Sequence, residues 1–282
     1  MAKSAKAASP RRHKDQELAM RQSGSWSVLR EFFRSRGTGA LRQFGYQIHK
    51  LPQTTSFDYE AVRPLATYAP WNKDPEFQAT YNSVKANTLV DLYRCWELWC
   101  LVEQSSKVPG SILEVGVWRG GTAALLCRKA QLCGIQDPVY LCDTFHGVVK
   151  ADARDRSYRG GEHSDAARQA VESFICGQLG LENARILEGI FPDETGHLIR
   201  DPVFRLCHID VDVHKSAQDT FRWVWPRMSV GGIVVFDDYG FEGCDGVTEF
   251  VEHELRGQKD RIVLHNLNGH AVIVKITGSN AA

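Results

Sequence analysis

Four carboxylates stand where two strand-like runs of this chain end. "RLCHIDVD", Arg205 to Asp212, closes on Asp210 and Asp212; "VVFDDYG", Val234 to Gly240, closes on Asp237 and Asp238, the first of them 25 residues after Asp212. In an open α/β sheet the carboxyl ends of strands face the ligand crevice, so acids there are placed to act on a guest. Like charges that close repel unless something positive lies among them. Hard oxygen donors with no Cys/His cluster point to Mg²⁺, with Mn²⁺ or Ca²⁺ as alternatives. Any one of Asp210, Asp212 or Asp238 can instead cap a following helix. Two pairs on successive strand ends favour the cation reading.

A second chemical group lies upstream. "ILEVGVWRGGTAALL", Ile112 to Leu126, reads as a strand, a Gly-rich turn and a helix start, with Glu114 ahead of Gly116, Gly120 and Gly121. Glycines admit a ligand close to the backbone, and a helix N-terminus offers free N–H groups. The spacing matches neither the dinucleotide fingerprint nor the P-loop, which argues against a nucleotide phosphate as guest. The next strand, "VYLCD", ends in Asp143, 29 residues after Glu114. An acid there commonly accepts from the vicinal diol of a ribose. Acids around a Gly-rich turn, without a phosphate-binding lysine, suit a cationic nucleoside such as S-adenosylmethionine. Given a methyl donor and a divalent cation, the matching chemistry is transfer to a hydroxyl that the metal acidifies and a carboxylate deprotonates.

These groups need an α/β scaffold, and the texture after Pro109-Gly110 supplies one. Strand-like runs "SILEVGV", "PVYLCDTF", "ARILEGIF", "FRLCHIDVD" and "GGIVVFDDY" are mostly separated by helical stretches, "TAALLCRKAQLCG", "SDAARQAVESFICGQLG" and "SAQDTFRWVWPRM". Alternation of this kind predicts right-handed βαβ units and a mostly parallel sheet. At the end, "RIVLHNL" and "HAVIVKI" flank Asn268-Gly269, so a tight hairpin and an antiparallel last strand are expected. Before Pro109, "TLVDLYRCWELWCLVEQSS" has Leu89, Leu92, Cys95, Trp96, Trp99 and Cys100 at helical spacing, the stripe that core packing needs. "DYEAVRPLATYAPWNKDP" is Pro-punctuated and reads as irregular, and residues 1–24 read as a disordered basic tail.

The totals exclude other classes. Lys+Arg and Asp+Glu both number 34 in 282 residues, so no global field recruits nucleic acid or an anionic membrane. No apolar run is long enough to span a membrane and no apolar secretory core opens the chain. The 8 cysteines form no C-x-x-C pair and several sit inside apolar runs, as expected of reduced core thiols in a cytoplasmic protein.

Taken together, "EVGVWRGGT", "CDTFHGVVKA", "GGEHSD", "GIFPDE", "HIDVDVHKSAQD" and "MSVGGIVVFDDYGFEGCDGV" resemble the macrocin-type O-methyltransferase family. The likeness covers roughly residues 80 to 275. It implies a class I, Rossmann-like methyltransferase fold: a seven-stranded, mostly parallel sheet whose last strand is antiparallel, with an N-terminal helical cap. It implies S-adenosylmethionine and Mg²⁺ as cofactors, a sugar hydroxyl of a macrolide, aminocoumarin or related glycoside as acceptor, and a homo-oligomer. On that resemblance Asp210, Asp237 and Asp238 match the metal ligands and Asp212 the general base. Glu114, Gly116, Asp143 and Thr144 match donor-binding positions, with Trp118, Arg119 and Gly120 in the signature turn and Asp210 beside the donor. "GVVKADARDRSYRGGEHSD" corresponds to a lid over the acceptor, with His163 a candidate catalytic contact and a solvated loop histidine as the alternative. The implied division is a tail over 1–24, a helical cap over 25–107 and a methyltransferase domain over 108–277. Two departures touch the acceptor: "DVHKS", with His214 and Lys215 where many members have an aromatic and an acid, and "DTFHGVVK" in place of "D-S-F-E-G-L-P". The competing readings are a catechol or phenol O-methyltransferase, a metal-dependent hydrolase that needs no methyl donor, and a non-catalytic nucleoside-binding scaffold.

Overall fold

Seven strands form one sheet in the order β3-β2-β1-β4-β5-β7-β6, comprising β1 (Ser111–Val115), β2 (Val139–Asp143), β3 (Ala184–Glu188), β4 (Phe204–Ile209), β5 (Met228–Phe236), β6 (Arg261–His265) and β7 (Ala271–Lys275). β7 runs antiparallel to β5 and β6, and the remaining pairings are parallel, as a Rossmann-like methyltransferase fold requires. This computed structural model describes Tyr59, Glu60, Val62 and residues 67–200 and 203–278. The tail expected over 1–24 and the first part of the expected cap lie outside the described residues.

Both sheet faces are covered. On one face α1 (Pro75–Val84), α2 (Leu92–Ser105) and α3 (Gly121–Leu132) pack Phe77, Leu98, Trp99, Val102 and Leu125 against Ile112, Leu206 and Val235. On the other, α5 (His214–Val224) and α6 (Asp245–Phe250) bring Phe221, Val247 and Phe250 onto Cys207, Val234 and Phe236. β1 and β4 are buried along their whole lengths, the pattern of central parallel strands. The short α4 (Arg168–Glu172) continues as a π-helical turn, Ser173–Gln178, and α6 likewise continues through Val251–Leu255.

Some sequence expectations shift at element ends. The helix expected from residue 88 starts at Leu92, because the Asp91 side chain accepts from the N–H groups of Tyr93 (2.7 Å) and Arg94 (3.1 Å) and caps it there. Leu89 therefore lies before the helix and is 66% exposed, whereas Arg94 takes a place on the buried face. The stretch read as irregular contains a 3₁₀ turn, Pro70–Lys73, that buries Trp71. The final hairpin closes through residues 266–270 instead of a two-residue turn. Its Asn266 and Asn268 side chains accept from the N–H groups of Asn268 and His270, filling a wider loop.

Candidate functional site

The sheet order reverses between β1 and β4, where successive crossovers leave in opposite directions along the sheet, and a crevice opens there at the strand carboxyl ends. A cleft of about 290 Å³ occupies it, lined by Gly116, Trp118, Asp143, Thr144, His163, Asp210, Asp212, Asp237 and Asp238 among others. Glu114 and Gly120, expected at the donor, do not line it. Glu114 is fully buried, because parallel register places it beside His208, whose Nδ1 donates to it at 2.9 Å. Gly120 caps α3 at φ +82 and packs against Val171 and Ile175.

Asp143 organises the Gly-rich turn. Its Oδ2 accepts from the N–H groups of Val117 (2.6 Å) and Trp118 (2.8 Å), and its Oδ1 from Phe145 (2.6 Å). Oδ1 retains a lone-pair direction for a ligand hydroxyl. Gly116 has φ +92, and a Cβ there would stand 1.6 Å from the Asp210 carbonyl oxygen, so only glycine lets β1 pass the end of β4. Trp118, at φ +46, donates its indole N–H to Asp165 (2.6 Å) while Arg119 stacks on its ring. Thr144 donates to the Gly147 carbonyl (2.8 Å) and steadies the chain leaving β2.

The four acids converge as the strand ends predicted. Asp210, Asp237 and Asp238 can each offer an oxygen, all within 4.8 Å of one another. Burial and then the charges of Asp237 and Asp238 push the Asp210 carboxyl well above its usual range; burial and then Asp212 and Asp237 do the same to Asp238. Asp237 goes the other way. Burial would raise it, but His208, His270 and Arg94 surround it and hold it far below the usual carboxylate range. Arg94 pairs with its Oδ2 and His270 Nε2 lies 2.9 Å from its Oδ1. An all-oxygen set with two members strained by repulsion fits a hard divalent cation, and Arg94 already supplies part of the positive charge.

Asp212 sits at φ +62, its N–H donating to Asp238 (3.1 Å) and its Oδ1 accepting from the Tyr158 hydroxyl (2.6 Å). Burial raises its carboxyl, opposed by that hydroxyl. Tyr158 belongs to the charged segment between β2 and α4, and His163 of the same segment stands at the cleft, 6.3 Å from the Trp118 ring and 6.2 Å from that of Tyr158. The segment is fastened to α5: Asp155, itself buried, accepts from the His214 N–H (2.9 Å), Ser216 donates to the Val149 carbonyl (2.8 Å) and Arg154 meets His214 Nε2 (3.1 Å). His214 and Lys215, the unusual pair of the sequence, do not line the cleft; His214 holds the segment and Lys215 pairs with Asp219.

Sequence reading passed over Arg94, Tyr158, His208 and His270. A charged residue inside the apolar stripe of α2 was the available signal for Arg94, and a histidine within an otherwise apolar strand for His208. Tyr158 and His270 carry no local mark, since each meets its acid only through folding. All eight cysteines are free, five of them buried, and among the described residues no helix is long and apolar enough to cross a membrane.

Comparison with known proteins places this geometry. Residues 62–264 match the model of the macrocin-O-methyltransferase (TylF) family. The 8-demethyl-8-(2,3-dimethoxy-alpha-L-rhamnosyl)-tetracenomycin-C 4'-O-methyltransferase of Streptomyces olivaceus is 33% identical over 186 residues, 61% of this chain and 69% of its own. The mycinamicin III 3''-O-methyltransferase of Micromonospora griseorubida is 28% identical over 194 residues, 63% of this chain and 74% of its own. The solved structure of the O-methyltransferase NovP shares the fold, with a TM-score of 0.58 at 24% identity over 68% of this chain and 83% of that one. The chain belongs to the macrocin-O-methyltransferase family and is an S-adenosylmethionine-dependent O-methyltransferase.

Proposed function

We propose that the chain methylates a sugar hydroxyl of a glycoside or nucleotide-sugar, with a divalent cation, Mg²⁺ by preference, held by Asp210, Asp237 and Asp238. The observation that carries this reading is the convergence of four strand-end carboxylates beside the Asp143-ordered turn in one cleft. The relatives named above act on sugar-bearing natural products by their names, which supports a sugar acceptor.

In this reading the donor lies against the turn at Gly116, Trp118 and Thr144, with Asp143 facing its ribose. The sulfonium C–S bond breaks as the acceptor oxygen takes the methyl group, leaving S-adenosylhomocysteine. Asp212 takes the hydroxyl proton. Tyr158 holds Asp212 in place, and His163 contacts the acceptor from the cleft mouth. A bound Mg²⁺ supplies acidification of the acceptor hydroxyl. The tail over 1–24, the cap over 25–107, a homo-oligomeric state and a cytoplasmic home complete the proposal.

The test is calorimetric titration of S-adenosylmethionine with and without Mg²⁺, followed by S-adenosylhomocysteine formation with deoxysugar glycosides and with catechols. Donor binding, glycoside turnover and its loss in Asp212→Asn support the reading. Turnover of catechols alone, little affected by Asp212→Asn, assigns the phenol chemistry instead, because a phenol needs less help to ionise.

A further inference from the structure

Beneath the four acids lies a second group of metal-ligating side chains, built from histidines that the proposed methyl transfer does not employ. His208 on β4, His270 beside β7 and Asp237 after β5 are all buried, and one ligand atom from each lies within 4.8 Å of the others. His270 Nε2 is 2.9 Å and His208 Nε2 is 3.5 Å from the same oxygen, Asp237 Oδ1. Each imidazole turns its other nitrogen to a carboxylate: His208 Nδ1 donates to Glu114 (2.9 Å) and His270 Nδ1 to Glu97 (2.5 Å). Glu97 is itself held by the amides of Asn266 and Asn268. His208 Nε2 is fully buried, and its one polar approach, to Asp237 Oδ1 at 3.5 Å, falls short of a well-formed hydrogen bond.

We propose that His208, His270 and Asp237 form a second cation site, for a borderline transition ion such as Zn²⁺, next to the all-oxygen set and sharing Asp237 with it. Two imidazoles and one carboxylate select such an ion over Mg²⁺ or Ca²⁺. A carboxylate behind each imidazole fixes its tautomer and aims the free nitrogen at the ion, which is how protein metal sites orient histidine ligands. Ligand bonds of about 2.0–2.2 Å place neighbouring donors roughly 3–3.5 Å apart, close to the separations from Asp237 Oδ1. Asp237 borders the cleft, which gives the ion an entrance. The ion also gives His208 Nε2 the close partner that Asp237 Oδ1, at 3.5 Å, does not supply.

The test uses neither donor nor acceptor, so it stands apart from the proposed methyl transfer. Chelator-treated protein is loaded with Co²⁺ in excess Mg²⁺, its visible absorption recorded, and Zn²⁺ added to displace it. Expected are one Co²⁺ per chain with an imidazole-ligated spectrum and bound Zn²⁺ that survives gel filtration. Asp238→Asn, which disables only the oxygen set, keeps the spectrum; His270→Gln loses it; Glu97→Gln weakens Co²⁺ binding about 10–100-fold. Retention of the same spectrum in His270→Gln overturns the proposal, as does wild-type protein that takes up no Co²⁺ or Zn²⁺; in the latter case protons occupy the imidazoles instead. If His270→Gln does not fold, the zinc absorption-edge spectrum of wild-type protein decides: imidazole ligands support the site and an oxygen-only shell overturns it.

Discussion

Replacing Arg94 with methionine tests the electrostatic account of the acid cluster directly. Arg94 and Asp237 are an ion pair with side chains only 8% and 3% exposed, and they sit between α2 and the end of β5. Breaking a buried pair by removing one partner costs about 3–5 kcal/mol, because the survivor keeps its charge without its counter-ion. Here His208 and His270 continue to face Asp237, which places the expected loss near the lower figure, about 3 kcal/mol. Methionine retains the length and the packing against Phe241, over whose ring the guanidinium now lies at 4.6 Å, so the change isolates charge from shape. A loss of that size lowers Tm by roughly 6–12 °C for a unit of about this size. The assay is guanidinium unfolding of wild type and Arg94→Met at neutral pH without divalent metal, followed by the same pair with Mg²⁺. If Mg²⁺ binds the oxygen set, it restores more stability to Arg94→Met than to wild type, since it then supplies the missing positive charge. A destabilisation below about 1 kcal/mol, the size of an exposed pair, would refute the claim that Arg94 neutralises a buried carboxylate.

Three further outcomes follow from the same geometry. Gly116→Ala forces a methyl group into the Asp210 carbonyl at a positive φ, so β1 and β4 must separate by about 1 Å or more; donor affinity measured by calorimetry should fall at least about ten-fold, and an unchanged affinity would contradict the packing. Asp143→Asn keeps one acceptor oxygen but turns an NH2 toward at least one of the three backbone N–H groups it now accepts from, and should cost about 1–3 kcal/mol in unfolding experiments while weakening S-adenosylmethionine binding. Metal-free protein should become less stable as pH rises from about 5 to 8. Asp210 and Asp238 have raised folded values, so their contribution is complete below the ordinary carboxylate value and is lost as pH climbs through the raised ones. His208, pushed up to about 10 by Asp237 and Glu114 against burial, acts in the same direction above its ordinary 6.5. Asp237, lowered, contributes fully across this range and is lost only on strong acidification. Thermal scans showing rising stability over that interval would reverse the assignment, and Mg²⁺ should narrow the difference most at the alkaline end.

Much of the site was legible because strand ends announce themselves. Asp143, Asp210, Asp237 and Asp238 each end or directly follow a short apolar run, and parallel topology sends such ends to one crevice. Glu114 illustrates the limit. Its place in β1 was readable, but whether its carboxylate faces the cleft or the core depends on register, and register sets it beside His208 in the core. Leu89 shows the same limit at a helix start, where the Asp91 cap outweighs one more apolar residue in the stripe.

By itself the amino-acid order determined the alternation of strands and helices, the antiparallel last strand, the Gly-rich turn and the placement of acids at strand ends. These are short-range matters of periodicity, backbone permission and topology. Only the tertiary structure decided what each acid faces. Arg94 reaches Asp237 across 143 positions, His270 across 33, and Tyr158 reaches Asp212 across 54. An aspartate's charge state depends on burial and on neighbours within a few ångströms, and those neighbours are brought together by packing between elements that no local pattern connects. So two adjacent aspartates, Asp237 and Asp238, identical in sequence terms, are pulled in opposite directions by the fold.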